Sequence, residues 1–245
     1  MNLFDHLLNP ANWSGPTGIT TRLLEHIGYS AAAIAIAVVI ALPIGIAIGH
    51  TGRGNLFVSA TSNAARALPT LGLLTLVVVL LGTGAAPVVL ALVVLAIPPI
   101  LNGTVVGFRT ADRDAVLAAR AMGMTGGQQI RKVELPLAMP LVLSGLRSAT
   151  LQVIATATVA AMAAAGGLGR FVIDGQKRRD GYPEMFTGAL LVMVLAIVSD
   201  VVLGGTTRLA QRRSGGRRKV RADPFDAEVP GNKSDNASDT EGASA

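Results

Sequence analysis

Residues Asp112–Pro140 read DRDAVLAARAMGMTGGQQIRKVELPLAMP, the one long polar interruption in an otherwise apolar chain. Asp114 to Met122 is built of good helix formers, and Leu117, Ala118, Ala121 and Met122 recur on one face of that helix. Gly123 and then Gly126-Gly127 break it. Gln128 to Leu135 suits a second short helix with Ile130, Val133 and Leu137 on one side, closed by Pro136 and Pro140. Two amphipathic helices in a polar loop need something to cover their apolar faces. Either they fold back on the rest of the chain or another protein covers them.

The chain around the loop reads as membrane helices. It is 51% hydrophobic and only 15% charged, with a mean hydropathy of +0.53. A soluble domain of this size carries roughly 25% charged residues. About 20 apolar residues cross the hydrocarbon layer at 1.5 Å per residue. On that measure the spans are Ile27–Gly49, Ser59–Leu81, Val88–Phe108, Leu141–Ala165 and Met185–Thr206. Pro43 and Pro69 should kink the first and second, with Arg66 snorkelling from the second to one surface. Pro98-Pro99 removes two N–H groups from the third, which suits a place inside the bundle or beside a pathway as well as a simple kink. Small residues through Ala155–Gly167 allow close helix approach.

Other classes of function find little support. There is no cysteine, and His6, His26 and His50 have no metal-ligand spacing. No positively charged segment precedes Arg22, so no cleavable signal is expected. The net charge of +6 sits beside apolar spans and reads as membrane topology, with no nucleic-acid partner. No phosphate-cradling P-loop is present.

The expected organisation is an extracytoplasmic segment 1–26, a transmembrane domain 27–207 with a cytoplasmic loop 109–140, and a disordered cytoplasmic tail 208–245. Trp13 suits the headgroup level, and Thr20–His26 a short interfacial helix. Orientation follows from the basic residues. One side holds Arg53, Arg66, six between 108 and 147 and eight beyond 207; the other holds Arg22, Arg170, Lys177, Arg178 and Arg179. The richer side is cytoplasmic, so the N-terminus lies outside and the C-terminus inside. Lys177-Arg178-Arg179 runs against the bias, offset by Asp174, Asp180 and Glu184.

Ala118-Ala119, Gly123, nine residues, then Val133-x-Leu135-Pro136 resembles the EAA loop of ABC importer permeases, whose pattern is E-A-A-x-x-x-G-x9-I-x-L-P. Leu117 stands at the Glu position and Val133 at the Ile position. ALPTLGLLTL from Ala67, the loop itself and AAGGLGRFV from Ala164 resemble the osmoprotectant branch, which imports glycine betaine, choline, carnitine and similar solutes. The resemblance implies an all-α membrane protein with the type I ABC importer transmembrane-domain fold, of five helices, or six if the N-terminal segment adds one. It implies a bacterial plasma-membrane complex of two permease chains, identical or paralogous, two ABC ATPase subunits that carry ATP and Mg, and an extracytoplasmic solute-binding protein. This chain is then a transport subunit with no cofactor of its own, in contact with membrane lipid. Ala118, Ala119, Gly123, Val133, Leu135 and Pro136 would couple it to the ATPase, with the small residues seating in a groove and Pro136 setting the angle into the next span.

Asn102, Thr150, Gln152, Thr156 and Thr158 are the candidates for lining the solute path, against the alternative that they bond to helix backbone. Asp200 is an ionisable group within the last span, either functional or paired with an arginine. The few aromatic residues are unclustered, so a cation–π cage is expected on the binding protein. Two other readings remain: a permease for another small amino-acid-like solute, or a stand-alone ion-coupled carrier.

Overall fold

The computed structural model describes residues 3–67, 69–163 and 166–214. The expected tail, with most of its basic cluster, therefore lies outside the described residues, as do Leu68, Ala164-Ala165 and the side chain of Arg66. The described chain is helical throughout: α1 (Asp5–Leu8), α2 (Ile19–Thr51), α3 (Asn55–Ala67), α4 (Thr70–Leu81), α5 (Ala85–Arg109), α6 (Arg113–Ala121), α7 (Gly126–Gln129), α8 (Leu135–Ala160), α9 (Gly169–Gln176) and α10 (Tyr182–Ser214). Among the described residues, α2, α5, the continuous run Gly126–Ala160 and α10 are long and apolar enough to cross a membrane.

The α2, α5 and α8 helices form the packed centre. With lipid on all sides, helix association gains little from hydrophobic burial and depends on close van der Waals contact. Small residues supply it. Ala33, Ala37, Ala41 and Gly45 are buried at four-residue spacing along α2. A Cβ on Gly45 would lie 2.7 Å from the Thr104 Cβ, and one on Gly103 would lie 2.7 Å from the Gly145 Cα. The backbones of α5 and α8 therefore touch where they cross. By contrast, Val39, Val79 and Val201 are exposed, as expected of lipid-facing positions.

Several expected boundaries move. The helix of the first span begins at Ile19, so Thr20–His26 is not a separate interfacial helix but the start of α2. The helix is continuous through Pro43. The second span is not one kinked helix but two. Pro69 lacks an N–H and disfavours helical geometry in the residue before it; it caps α4 with ψ 118°. At 12 residues α4 is about 18 Å long, short of a full crossing. In contrast, α5 runs unbroken through Pro98 and Pro99.

At the end away from the loop, the N-terminal segment packs on α9 and α10. Phe4 meets Phe186 edge-on at 5.1 Å, and His6 meets Phe171 at 5.6 Å. Trp13 Nε1 donates to the Leu7 carbonyl at 2.8 Å, so the indole is tied to its own segment.

Candidate functional site

The loop after α5 has local reasons for each turn. Asp112 Oδ1 accepts from the Asp114 and Ala115 N–H groups at 2.9 and 3.3 Å, capping α6. Asp114 in the first turn and Arg120 in the last oppose the helix dipole. At the other end the Met122 N–H reaches the Ala118 carbonyl and the Met124 N–H that of Ala119, with Gly123 at φ +78°. Nothing lies within 4 Å of a Cβ built on Gly123. Its left-handed backbone, not a shortage of space, selects glycine there.

The motif residues divide between two surfaces. Leu117 is 60% exposed and Met122 70%, and Ala118, Ala121 and Gly123 are exposed beside them. Ala119 is 1% exposed and faces the chain's own interior. Val133 and Leu135 are half-buried, and Pro136 is exposed. Val133, Pro136 and Leu137 line one wall of a cleft of about 580 Å³ whose other wall includes Thr206 and Leu209 of α10.

The second loop helix differs from expectation. It is only α7, after which a π turn over Ile130–Glu134 runs directly into α8. Pro136 stands in the first turn of α8 and Pro140 lies inside that helix, so neither closes the loop. A wider π turn uses i→i+5 bonds, here from the Leu135 N–H to the Ile130 carbonyl, just before a residue that has no N–H to give.

Sequence reading missed what holds this loop to the bundle. Glu134 is 4% exposed and Gln129 3%. Glu134 Oε2 accepts from His50 Nδ1 at 2.7 Å, and Oε1 accepts from Gln129 Nε2 at 2.6 Å. Arg120 Nε in turn donates to Gln129 Oε1 at 3.3 Å. The chain Arg120–Gln129–Glu134–His50 thus joins α6, α7, the π turn and the end of α2. The buried carboxylate needs such partners, since an unpaired one would be strongly unfavourable. A Glu inside a short helix next to Leu135-Pro136 was the available signal; its partner lies 84 residues away in sequence.

The path candidates do not converge on one surface. Asn102 is exposed on α5. Thr150 donates to the Leu146 carbonyl at 2.9 Å and lines an apolar cleft of about 350 Å³ between α2, α8 and α10. Thr158 donates to the Ile154 carbonyl at 3.3 Å, Thr156 is buried, and Gln152 is half-buried. Thr150 and Thr158 thus have backbone partners in their own helix. Asn102 instead finds company in Ser144 and Ser148, both exposed on α8. The two helices cross antiparallel at Gly103 and Gly145, and their periodicity puts residues 102, 144 and 148 on the same side of that crossing.

Asp200 is paired. Arg147 Nε and Nη2 donate to its two carboxylate oxygens, each at 2.6 Å, in a bidentate bridge between α8 and α10.

Residues 33–213 match the model of the binding-protein-dependent transport system inner membrane component family. The chain is 35% identical over 185 residues to the glycine betaine/carnitine/choline transport system permease protein OpuCB of Bacillus subtilis, covering 75% of this chain and 84% of that one. It is 35% identical over 188 residues to the choline transport system permease protein OpuBB of the same organism, covering 76% and 86%. In fold it resembles a chain of the MetNI methionine ABC transporter in an inward-facing conformation, with a TM-score of 0.69 and 24% identity over 78% of this chain and 95% of that one. A multi-pass helical membrane protein with this match over most of its length belongs to the binding-protein-dependent transport system inner membrane component family, the permeases of ABC importers.

Proposed function

We propose that this chain is the permease subunit of an ATP-driven importer of quaternary-ammonium compatible solutes, the class formed by glycine betaine, choline and carnitine. The relatives named for those solutes span three quarters of the chain. In this reading the loop is cytoplasmic, the N-terminus is outside and the C-terminus inside. The placement of Lys and Arg supports that orientation, with sixteen on the loop side against five on the other.

The observation that carries the reading is the outward apolar face of α6. Leu117, Ala118 and Met122 stand exposed on a capped helix, uncovered by the described residues. We assign that face, with Gly123, to an ABC ATPase subunit. Val133, Leu135 and Pro136 connect it to α8, and Ala119 fastens α6 from behind. ATP and Mg then belong to the ATPase. A second permease chain completes the path, and an extracytoplasmic binding protein delivers the solute. Asn102, Ser144 and Ser148 are the residues of this chain assigned to the path, with Gln152 beside them; Thr150, Thr156 and Thr158 serve the helices instead. The stand-alone carrier finds no support in a family that depends on a binding protein.

The test is uptake by the assembled complex. Solute import should vanish when the ATPase carries a catalytically dead site, and persistent uptake would sink the proposal. A ligand screen on the cognate binding protein identifies the solute; binding of methionine or histidine with no affinity for any quaternary amine would overturn the solute class.

A further inference from the structure

The α2 helix is clamped at both ends, and the clamps lie on opposite sides of the membrane. At the loop end, His50 Nδ1 is 2.7 Å from the buried carboxylate of Glu134. Its Nε2 lies 3.6 Å from where a Cβ on Gly126 would stand, so the imidazole is packed against the start of α7. At the far end, Glu25 Oε2 accepts from the Gly167 N–H at 2.8 Å and from Arg22 Nη1 at 2.9 Å. The adjacent, fully buried His26 places Nε2 3.2 Å from the Ile154 carbonyl. The Gly166-Gly167 turn is shaped to this contact. Gly167 has φ +87°, and a Cβ on Gly166 would collide with the Glu25 carboxylate.

His26 and His50 are about 36 Å apart along a helix that rises 1.5 Å per residue, slightly more than the roughly 30 Å hydrocarbon layer. Between them the buried face of α2 is Ser30, Ala33, Ala37, Ala41 and Gly45. These small residues bring α2 close to α5, where Thr104 and Phe108 seat against Gly45 and Gly49, so a shift of α2 carries α5 with it.

The other connection between the loop and the Gly166-Gly167 turn is α8 itself. That route is the more interrupted one. It starts with a π turn, carries Pro140 inside and ends in a 3₁₀ turn at Ala161–Ala163, whereas α2 is interrupted by Pro43 alone. Interior prolines and turns of another pitch weaken the regular i→i+4 ladder that makes a helix stiff.

We propose that α2 is the rod that carries movement of the α6–α7 loop to the Gly166-Gly167 turn across the membrane, with Glu134 and Glu25 as its two positioning residues. The proposal rests on the permease reading. It extends the loop's role from docking to transmission. ATPase closure displaces α6; Arg120, Gln129 and Glu134 pass the displacement to His50; the far end of α2 then shifts the turn seated on Glu25.

The experiment uses the whole complex in proteoliposomes, with ATPase and binding protein, and reads solute imported per ATP hydrolysed. E134A and E25A should each lower that ratio about tenfold, the scale of a coupling free energy between distant sites, with ATP hydrolysis and subunit composition little changed. The double variant should be no worse than the worse single one, because both break the same rod. E134Q, whose amide can accept from Gln129 and donate to a neutral His50, should restore most of the ratio. An unchanged ratio in E134A and E25A overturns the proposal. So does a multiplicative loss in the double variant, or a loss of hydrolysis in step with loss of ATPase subunits from the purified complex. A wild-type complex that imports some other solute sinks the quaternary-ammonium reading alone, and the ratio is then read with that solute.

Discussion

Glycine does opposite work at the α5–α8 crossing and in the α6–α7 loop. At the crossing, a Cβ on Gly145 would stand 2.7 Å from the Pro99 carbonyl oxygen, and one on Gly107 2.8 Å from that of Ala138. Those glycines keep helical backbone angles and are required for space. Gly123 has open space around it and is required for its φ of +78°. The bundle is therefore held by backbone contact, which any side chain disrupts. The loop is held by caps, one left-handed residue and a buried polar chain, so its outward face is free to vary. A docking surface benefits from that arrangement: its contact residues can change without unfolding the support beneath them.

Substitutions can break this comparison or sharpen it. The largest effect is expected at the crossing. Gly145→Leu should prevent recovery of a folded chain. Gly145→Ala should destabilise it by about 3 kcal/mol, the upper range for overpacking, seen as a lower thermal midpoint in detergent. Unchanged midpoints would mean that the α5–α8 contact is looser than its backbone distances indicate. Next comes the Arg147–Asp200 bridge. R147A leaves a carboxylate without its partner inside a span and should lower the midpoint clearly, while R147A with D200A should recover part of the loss. Equal midpoints for the single and double variants would show that the bridge holds no strained charge.

In the loop the effects should shrink. Gly123→Ala forces a side chain into left-handed geometry at about 1–2 kcal/mol. The loss should appear as faster hydrogen exchange in α6 without a change in α5 or α8. Exchange that rises throughout the bundle would contradict the separation of the two regions. Leu117→Ala should alter stability by less than about 0.5 kcal/mol, as an exposed substitution does. It should nevertheless weaken co-purification of the ATPase. A variant that binds the ATPase as well as the native chain would remove Leu117 from the docking face.

Much of the fold is legible in the sequence because the membrane imposes a length rule. The third and fifth spans, expected at Val88–Phe108 and Met185–Thr206, lie within α5 and α10. The errors arise where helices outlast the hydrocarbon or where proline chemistry has two solutions. Thr20 to His26 looks too polar to belong to a span, yet it forms the first turns of α2, where Glu25 meets the Gly167 N–H beyond α8 and His26 meets the Ile154 carbonyl within α8. Pro69 splits a helix while Pro98-Pro99 does not. Pro69 is joined to a short, exposed α4, whereas neighbours enclose α5 on most sides.

Of the candidate site, the spacing from Ala118 to Pro136 was visible as a motif, because it lies in one short stretch. The division of that motif was not. Ala118 and Ala119 are adjacent and chemically identical, and only the packed loop turns one outward and the other inward. Nothing in the sequence joins Ser144 and Ser148 to Asn102, 42 and 46 residues away; the Gly103–Gly145 crossing puts them on one side.

The sequence by itself determined that the chain lives in a membrane, roughly where it crosses, and which polar stretch stands apart. Those properties follow from apolar run length, charge placement and local spacing, all of which are additive along a chain. Tertiary structure alone decided that Glu134 meets His50, that Arg147 meets Asp200 and that Glu25 holds the Gly167 turn. These pairs are 84, 53 and 142 residues apart. Buried polar groups must find partners, but the sequence does not say which, and only helix packing brings the particular atoms within reach.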